Sequence, residues 1–257
     1  MNSIMPAHKY VIFDLDETLG YFTELSIIWG CLQTVYNVSG QNMFNKLCQV
    51  FEIEYFRPGI FKVFKFLKKN SNNVRVVLYT NNTGEVEWLK MILKYMEMRA
   101  GITNLFYAIV PGYKHTDPKG PYARTSFEKT YQEIIRCASI PSTAKVIFFD
   151  DLYHSKMNNP LLTYNRVKPY FHPLRPSFII HKLQNSYFRF LDYGTNSYLY
   201  KCIRNFHRQY ANDGYHKKTA RINEDDIMIP IRDFLGIQKK TMRKHRSKGR
   251  NKTKKSN

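Results

Sequence analysis

The sequence predicts an α/β protein built on a Rossmann-like parallel sheet with helices on both faces. Three short apolar runs, which begin at Tyr10, Val74 and Val146, have the composition of buried strands. Stretches with helical spacing of apolar residues lie between them, and such alternation favours parallel pairing. Hydrophobic residues make up 43% of the 257-residue chain, which is enough for a sizeable core.

The predicted elements follow one another in a regular order. Residues 10–13 form the first strand, which ends directly in acidic residues. Residues 26–51 have helical spacing with a break near Ser39-Gly40, which predicts two helices inserted after that strand. Arg57-Pro58-Gly59 begins a further helix, because proline is well tolerated in the first helical turn. The elements predicted after it are strand 74–79, helix 85–98, strand 105–110, helix 127–137 and strand 146–149.

The chain divides into a core and two C-terminal parts. We expect the core to cover residues 1–160, with a small helical insert at about residues 20–54. Residues 161–237 form a C-terminal extension, in which residues 187–210 are compatible with one or two docked helices. Residues 238–257 lack a core-forming apolar pattern, so the sequence predicts a disordered tail.

The formal net charge of the chain is +20, and half of it comes from the tail. Ten lysines and arginines lie between Lys239 and Lys255, with no acidic residue among them. Such a charge favours polyanionic partners, which include nucleic acid, acidic protein segments and anionic lipid. The tail therefore has three interpretations: contact with nucleic acid or another polyanion, nuclear localisation, and solubilisation of the chain.

The four cysteines are widely spaced and form no Cys-x-x-Cys pair, so the sequence does not indicate zinc. We expect four free thiols in a reducing compartment. No apolar stretch approaches the ~18 residues of a membrane span, and no signal-length apolar region is present at the N-terminus. These features predict a soluble intracellular protein of the cytoplasm or nucleus, without a membrane partner.

Chemically reactive side chains follow three of the predicted strands. Ligands of open α/β sheets bind at the carboxyl ends of the strands. If the three strands are adjacent and parallel, their reactive side chains converge on one crevice. The three sets are Asp14-Leu15-Asp16-Glu17-Thr18, Thr80-Asn81 and Asp150-Asp151.

A crevice with several carboxylates needs a cation, because the carboxylates otherwise repel one another and raise their pKa values. Oxygen ligands without histidine or cysteine suit Mg²⁺, which also binds phosphate oxygens. One carboxylate of such a site is able to attack phosphorus and form an acyl phosphate, while a second, two residues further on, transfers protons. Thr80, Asn81 and a lysine would bind the other phosphate oxygens and stabilise the developing charge.

These motifs resemble those of the haloacid dehalogenase superfamily. Its first motif is a hydrophobic strand followed by Asp-x-Asp-x-Thr/Val, and residues 11–19 match it fully. With Arg57-Pro58-Gly59, Thr80 and Asp150-Asp151, the chain is similar to one branch of that superfamily. This branch contains the phosphatases of the RNA polymerase II C-terminal domain and the NLI-interacting-factor-like proteins. The resemblance covers roughly residues 9–156 and leaves the C-terminal part of the chain unmatched.

The resemblance implies a role for each residue of the crevice. Asp14 would be the nucleophile, and Asp16 would be the general acid and base. Mg²⁺ would be held by Asp14, by the backbone carbonyl of Asp16 and by one or both of Asp150 and Asp151. Thr80 would bind the phosphoryl group.

The lysine of the site has three candidates in the sequence. The superfamily places it before the helix that leads into the last strand, and Lys129 fits that position best. The sequence separation between Lys129 and Asp150 is longer than is usual in the narrower branch. Lys119 and Lys114, in the Pro/Gly-rich loop of residues 111–121, are the competitors.

The chain is therefore predicted to be a phosphoric monoester hydrolase, similar to protein serine/threonine phosphatases and with a phosphoprotein substrate. Leu152-Tyr153-His154 stands where the narrower branch has Ser-Pro, which weakens the case for polymerase-tail specificity. Two alternatives are a phosphatase of nucleic-acid ends or small phosphate esters, and a non-catalytic binding module recruited by the basic tail. The general shape also resembles members found in large DNA viruses, for which the location would be the viral factory or the virion.

Overall fold

The centre of the molecule is an open sheet of five parallel strands in the order β3-β2-β1-β4-β5. The computed structural model describes residues 9–82, 84–113, 123–194, 197–212 and 221–237. The strands are β1 (Lys9–Phe13), β2 (Val74–Tyr79), β3 (Phe106–Val110), β4 (Val146–Asp150) and β5 (Leu162–Arg166). The central strand β1 pairs with β2 on one side and with β4 on the other. The predicted α/β fold class with a parallel sheet is confirmed.

Nine helices cover this sheet within the described ranges. They are α1 (Phe22–Tyr36), α2 (Gly40–Val50), α3 (Glu52–Tyr55), α4 (Ile60–Lys69), α5 (Val86–Ala100), α6 (Tyr131–Cys137), α7 (Pro176–Gln184), α8 (Tyr198–Asn212) and α9 (Asp225–Leu235). The side chains of β1 alternate between two cores, because successive residues of a strand point to opposite faces. Val11 and Phe13 join the larger core, and Tyr10 and Ile12 join the smaller one under α6. Burial on both faces holds the end of β1 in a fixed place.

The insert after β1 consists of α1, α2 and the short α3, and its first two helices agree with the predicted pair. Asn37 ends α1 with a φ of 50°, in the left-handed region that commonly terminates helices. Leu25 and Ile28 of α1 are buried. The Phe44 ring of α2 lies 5.3 Å from the Trp88 ring of α5, measured between centroids. The insert is therefore part of the larger core.

The C-terminal extension contributes one strand and three helices. The residues of β5 are exposed or half-buried at the sheet edge, so this strand lacks the continuous apolar run that predicts buried strands. Helix α8 packs against α1, and α9 packs against α4. Lys9 Nζ also donates a 2.6 Å hydrogen bond to the carbonyl of Phe234 in α9. The predicted tail of residues 238–257 lies outside the described residues.

Two of the cysteines form a disulfide bond, so the prediction of four free thiols is wrong. Cys31 of α1 is bonded to Cys202 of α8, and their Cα atoms lie 6.3 Å apart. The two residues are 171 positions apart in sequence, and they meet only because α8 packs across α1. Cys48 and Cys137 are free and buried. Within the described part of the chain, none of the helices has the length and apolar character that crossing a membrane requires.

Candidate active site

The loop that follows β1 is held by hydrogen bonds to its backbone. Glu17 has a φ of 57°, in the left-handed region that non-glycine residues rarely adopt. Its N–H donates to the carbonyl of Gly20, and its carbonyl accepts from the Tyr170 N–H and the Arg57 guanidinium. The buried Arg57 also donates to the carbonyl of Thr18. Surrounding contacts thus stabilise an unfavourable backbone conformation, which is a common feature of functional sites.

A buried lysine links Asp14, which follows β1, to Asp150 at the end of β4. Lys129 Nζ lies 2.6 Å from Oδ1 of Asp14 and 2.6 Å from Oδ2 of Asp150. Burial disfavours the charged form of the lysine, but the two carboxylates outweigh that penalty and raise the pKa of Lys129. Nε2 of His154 lies 3.3 Å from the same Oδ2. The lysine is therefore charged and adjoins the first carboxylate of the predicted motif.

Three buried carboxylates are close enough to share a cation. Oxygen atoms of Asp14, Asp150 and Asp151 lie within 4.8 Å of one another. Asp150 uses its oxygens to accept from the lysine and from the Leu152 N–H. Among the described residues, Asp151 accepts a 3.3 Å hydrogen bond from the Thr18 hydroxyl but makes no ion pair with Lys129, so it keeps more capacity for a cation than Asp150 does. We call these three aspartates, together with the lysine, the Asp14 cluster (Asp14, Lys129, Asp150, Asp151).

Asp16 is not one of the carboxylates that could share this cation through a side-chain oxygen, and it forms a pair with Asn82. Its Oδ2 accepts a 2.6 Å hydrogen bond from Nδ2 of Asn82, and we name the two residues the Asp16 pair. Its Oδ1 is buried and has no hydrogen-bond partner among the described residues. Burial raises the pKa of Asp16 to about 7, although the hydrogen bond from Asn82 acts in the opposite direction. A carboxyl group that titrates near neutral pH is suited to donating and accepting a proton.

Thr80 and Asn81 begin the loop after β2, beside the Asp16 pair. Thr80 is buried, and its Oγ1 accepts a 3.0 Å hydrogen bond from the N–H of Asn82. The Asn81 amide donates to the carbonyl of Phe127 at 2.9 Å and accepts from Arg124 at 2.7 Å. Because that amide is engaged within the protein, the predicted contact of Asn81 with phosphate stays a prediction.

The Asp14 cluster and the Asp16 pair line one cavity of about 510 Å³. Tyr21, Phe22 and Ile27, at the beginning of α1, form an apolar wall of it, and Trp88 of α5 adds to that wall. The volume is in the range of sites that bind small molecules. A charged side and an apolar side together suit an anionic group attached to an uncharged body.

The structure brings the residues predicted for the crevice together at the carboxyl edge of the sheet. The sequence predicts a helix from residue 127, but α6 begins later, because the side chain of Thr130 caps it by accepting a hydrogen bond from the N–H of Glu133. Lys129 therefore lies before α6. Its competitors Lys119 and Lys114 lie outside the described residues. The residues that line the cavity as predicted are Asp14, Asp16, Thr80, Asn81, Lys129, Asp150 and Asp151.

Sequence reasoning missed three residues that shape the site: Asn82, Arg124 and Glu133. Asn82 follows the predicted pair after β2, and its position beside that pair was the available signal. Arg124 and Glu133 form an ion pair whose side chains are 0% and 6% exposed. No local pattern predicts such a pair, because its contacts depend on how α6 packs on the sheet.

Comparison with known proteins does not assign the chain to a family, so only its fold and its site define its class. No protein-family model matches the chain. No curated protein matches it either. The fold and site define an α/β protein in which the carboxyl edge of an open parallel sheet carries a buried acidic cluster able to bind a metal ion.

Proposed function

We propose that the chain is a Mg²⁺-dependent phosphatase of the haloacid dehalogenase type that forms an aspartyl-phosphate on Asp14. The environment of Asp14, at the end of the central strand, carries this proposal. Carboxylate oxygens of Asp150 and Asp151 lie within 4.8 Å of it, and Lys129 donates to it. Asp16 lines the same cavity. A nucleophile, cation ligands and a proton-transfer group therefore surround a space large enough for a phosphate ester.

The donor set of the site fits Mg²⁺. Its ligands are all oxygen atoms, which hard divalent cations prefer. Asp14, Asp151 and the backbone carbonyl of Asp16 would hold the ion, while Asp150 contacts Lys129. When bound, the ion would neutralise phosphoryl oxygens and orient the ester toward the nucleophile.

Negative charge in the cavity also favours a cation. Lys129 is the one lysine or arginine among the described residues that line the cavity. Burial and then the charges of neighbouring aspartates raise the pKa of Glu17 to about 9 and that of Asp151 to about 6. Five carboxyl groups line the cavity beside this one lysine, which contacts only two of them, so a bound cation would relieve the crowding that raises these pKa values. The five are Asp14, Asp16, Glu17, Asp150 and Asp151.

In the first step, a carboxylate oxygen of Asp14 attacks phosphorus while Asp16 donates a proton to the leaving oxygen. The bond between Asp14 and phosphorus forms as the ester P–O bond breaks, and the alcohol leaves with the proton. Lys129 and the buried Thr80 stabilise the charge that develops on the phosphoryl oxygens. Asp16 finishes this step as a carboxylate.

In the second step, that carboxylate of Asp16 removes a proton from water, and the water oxygen attacks phosphorus. The bond between phosphorus and Asp14 breaks, which releases inorganic phosphate and restores both aspartates. Oδ1 of Asp16, which has no hydrogen-bond partner among the described residues, is available for this exchange. One carboxyl group thus serves as acid and then as base.

The proposed substrate is phosphoserine or phosphothreonine in an extended protein segment, in line with the resemblance to polymerase C-terminal-domain phosphatases. The cavity wall of Tyr21, Phe22 and Ile27 favours a second candidate, because it closes one side of the site as a small ester or a nucleic-acid end requires. The net charge of +20 fits either anionic partner, and contact of the tail with polyanions is part of the same proposal.

Hydrolysis of p-nitrophenyl phosphate with Mg²⁺ and with a chelator tests the proposed function. The wild type should require Mg²⁺, and Asp14→Asn should lose activity by about 10⁴-fold or more because it lacks the nucleophile. Asp233→Asn, an isosteric change on the exposed side of α9, is the matched control and should keep wild-type activity. A folded, Mg²⁺-loaded wild type that hydrolyses neither this ester nor phosphopeptides would favour the non-catalytic binding module.

A further inference from the structure

Arg124 is a buried arginine behind the cavity, and its side chain is 0% exposed. One guanidinium nitrogen, Nη1, donates to the carbonyl of Thr80 at 2.9 Å and to Oδ1 of Asn81 at 2.7 Å. Its Nε donates to Oε2 of Glu133 at 3.2 Å. The guanidinium carbon also lies 4.6 Å from the centre of the Tyr79 ring. The arginine thus contacts three successive residues at the end of β2 and one residue of α6.

The same network reaches the start of α6, which follows Lys129. Glu133 accepts a 2.6 Å hydrogen bond from the Tyr79 hydroxyl. It also accepts from the N–H and the hydroxyl of Thr125, at 2.8 and 3.1 Å. The N–H of Glu133 donates to the side chain of Thr130, the residue that caps α6. Glu133 is therefore fixed relative to the segment that delivers Lys129 to the cavity.

We propose that Arg124 is a positioning residue that sets the distance between Thr80 and Lys129 and thereby shapes the phosphoryl-binding part of the cavity. The proposal rests on the phosphatase function. Asn81 completes the connection, because its amide bridges Arg124 and the carbonyl of Phe127, two residues before Lys129. Arg124 itself does not line the cavity, so it acts through the residues that it holds.

The geometry of the contacts explains why an arginine occupies this place. Its planar guanidinium donates in several fixed directions, whereas a lysine ammonium is a single point of charge on a flexible stem. Lysine would retain the charge beside Glu133 without reaching Thr80 and Asn81 in the same arrangement. Packed apolar residues often replace a buried ion pair without loss of stability, so the presence of this pair is consistent with a geometric role.

Two variants on opposite sides of the network test this proposal. With p-nitrophenyl phosphate at saturating Mg²⁺, Arg124→Lys should lower kcat by about 10²-fold, because misplacing a catalytic contact by about 1 Å has an effect of that size. KM should rise by no more than about 10-fold, because the misplaced groups act more strongly in the transition state than on the bound ester. Asn81→Ala should also lower kcat. The double variant should have a kcat no lower than that of the single variant with the lower kcat, because both changes disrupt the same network.

Lys182→Met is a control for the loss of stability that follows when an ion pair outside the network is disrupted. Lys182 contacts Glu54 at 2.5 Å, and the two side chains are 23% and 10% exposed. Removal of this pair, which does not line the cavity, should lower the unfolding midpoint and leave kcat unchanged. Because Asn81→Ala truncates a half-buried neutral amide and leaves the buried pair of Arg124 and Glu133 in place, it tests the network even where Arg124→Lys does not fold.

The outcomes separate this inference from the phosphatase function. Wild-type kcat in Arg124→Lys with only a lower unfolding midpoint would overturn the inference and leave the function intact, as would losses that multiply in the double variant. A wild type without hydrolysis would overturn the function, and calorimetric binding of inorganic phosphate would then decide the inference. Phosphate binding about 10-fold weaker in Arg124→Lys is expected. Equal binding of phosphate by Arg124→Lys and the wild type, or no binding by the wild type, would overturn the inference about Arg124.

Discussion

The Asp14 cluster and the Asp16 pair share one cavity, yet their electrostatic surroundings differ. In the cluster, carboxylates face one another across less than 4.8 Å, and a charged lysine contacts two of them. In the pair, Asp16 has a neutral amide as its partner and a buried oxygen without a hydrogen bond among the described residues. Two aspartates that are two positions apart thus receive different environments, which suit charge stabilisation in one case and proton transfer in the other.

Replacing the acid of the Asp16 pair should give the largest effect that distinguishes the two regions. Asp16→Asn should lower kcat/KM for an alkyl phosphate by about 10²–10⁴-fold, because the leaving alkoxide then receives no proton. The loss for p-nitrophenyl phosphate should be smaller, since its leaving group needs little protonation. Steady-state kinetics with the two esters measures the ratio, and equal losses would contradict proton donation by Asp16.

Replacing cation ligands should sharpen the comparison within the Asp14 cluster. Asp151→Asn should raise the Mg²⁺ concentration for half-maximal activity by at least about 10-fold, because Asp151, unlike Asp150, is not already paired with Lys129 among the described residues. Asp150→Asn should instead lower activity at every Mg²⁺ concentration, because Lys129 loses one of its two carboxylate partners. Mg²⁺ titrations of both variants check this difference. An identical shift in the two would show that they hold the ion equally.

An ion pair outside the cavity should give the smallest effect. A hydrogen bond from Arg99 lowers the pKa of Glu52 below its ordinary value of 4.5, although burial opposes this. The resulting stabilisation is present above that value and disappears as pH falls through the lowered pKa. Arg99→Met should therefore lower the free energy of unfolding by up to about 1 kcal/mol at pH 7, with no change in kcat.

Urea unfolding at pH 7 and at pH 3 measures this effect. The difference between Arg99→Met and the wild type should be present at pH 7 and shrink toward pH 3, because protonation of Glu52 removes the carboxylate partner of Arg99. Arg99 is 43% exposed, which is why the expected effect is modest. A fall in kcat would show that the contact between α3 and α5 influences the cavity.

The sequence predicts the site well where it depends on local patterns and strand order. The apolar run before Asp14, and the polar residues after Val74–Tyr79 and Val146–Asp150, are enough to place three sets of side chains at one edge. Lys129 follows from the resemblance to a known motif. Whether it contacts Asp14 depends on the packing of α6, which the sequence does not reveal.

The rest of the molecule depends on contacts between distant segments. Cys31 and Cys202 have no local signal for bonding and meet through the packing of α8 on α1. Strand β5 is an edge strand with exposed residues, so its sequence lacks the pattern of a buried strand. In the sequence, nothing distinguishes Arg124 from an ordinary loop arginine, because its contacts form only when β2 and α6 pack around it.

The central claim is that Asp14 carries the phosphoryl group during turnover. Borohydride reduces an acyl phosphate to an alcohol, so trapping during hydrolysis should convert Asp14 to homoserine, which peptide mass spectrometry detects. We expect this conversion only when substrate and Mg²⁺ are both present. With p-nitrophenyl phosphate we expect more of it in Asp16→Asn, because formation of the intermediate then needs little protonation while release of phosphate lacks its base. Rapid Mg²⁺-dependent hydrolysis with unmodified Asp14, or with the modification at another residue, would contradict the account.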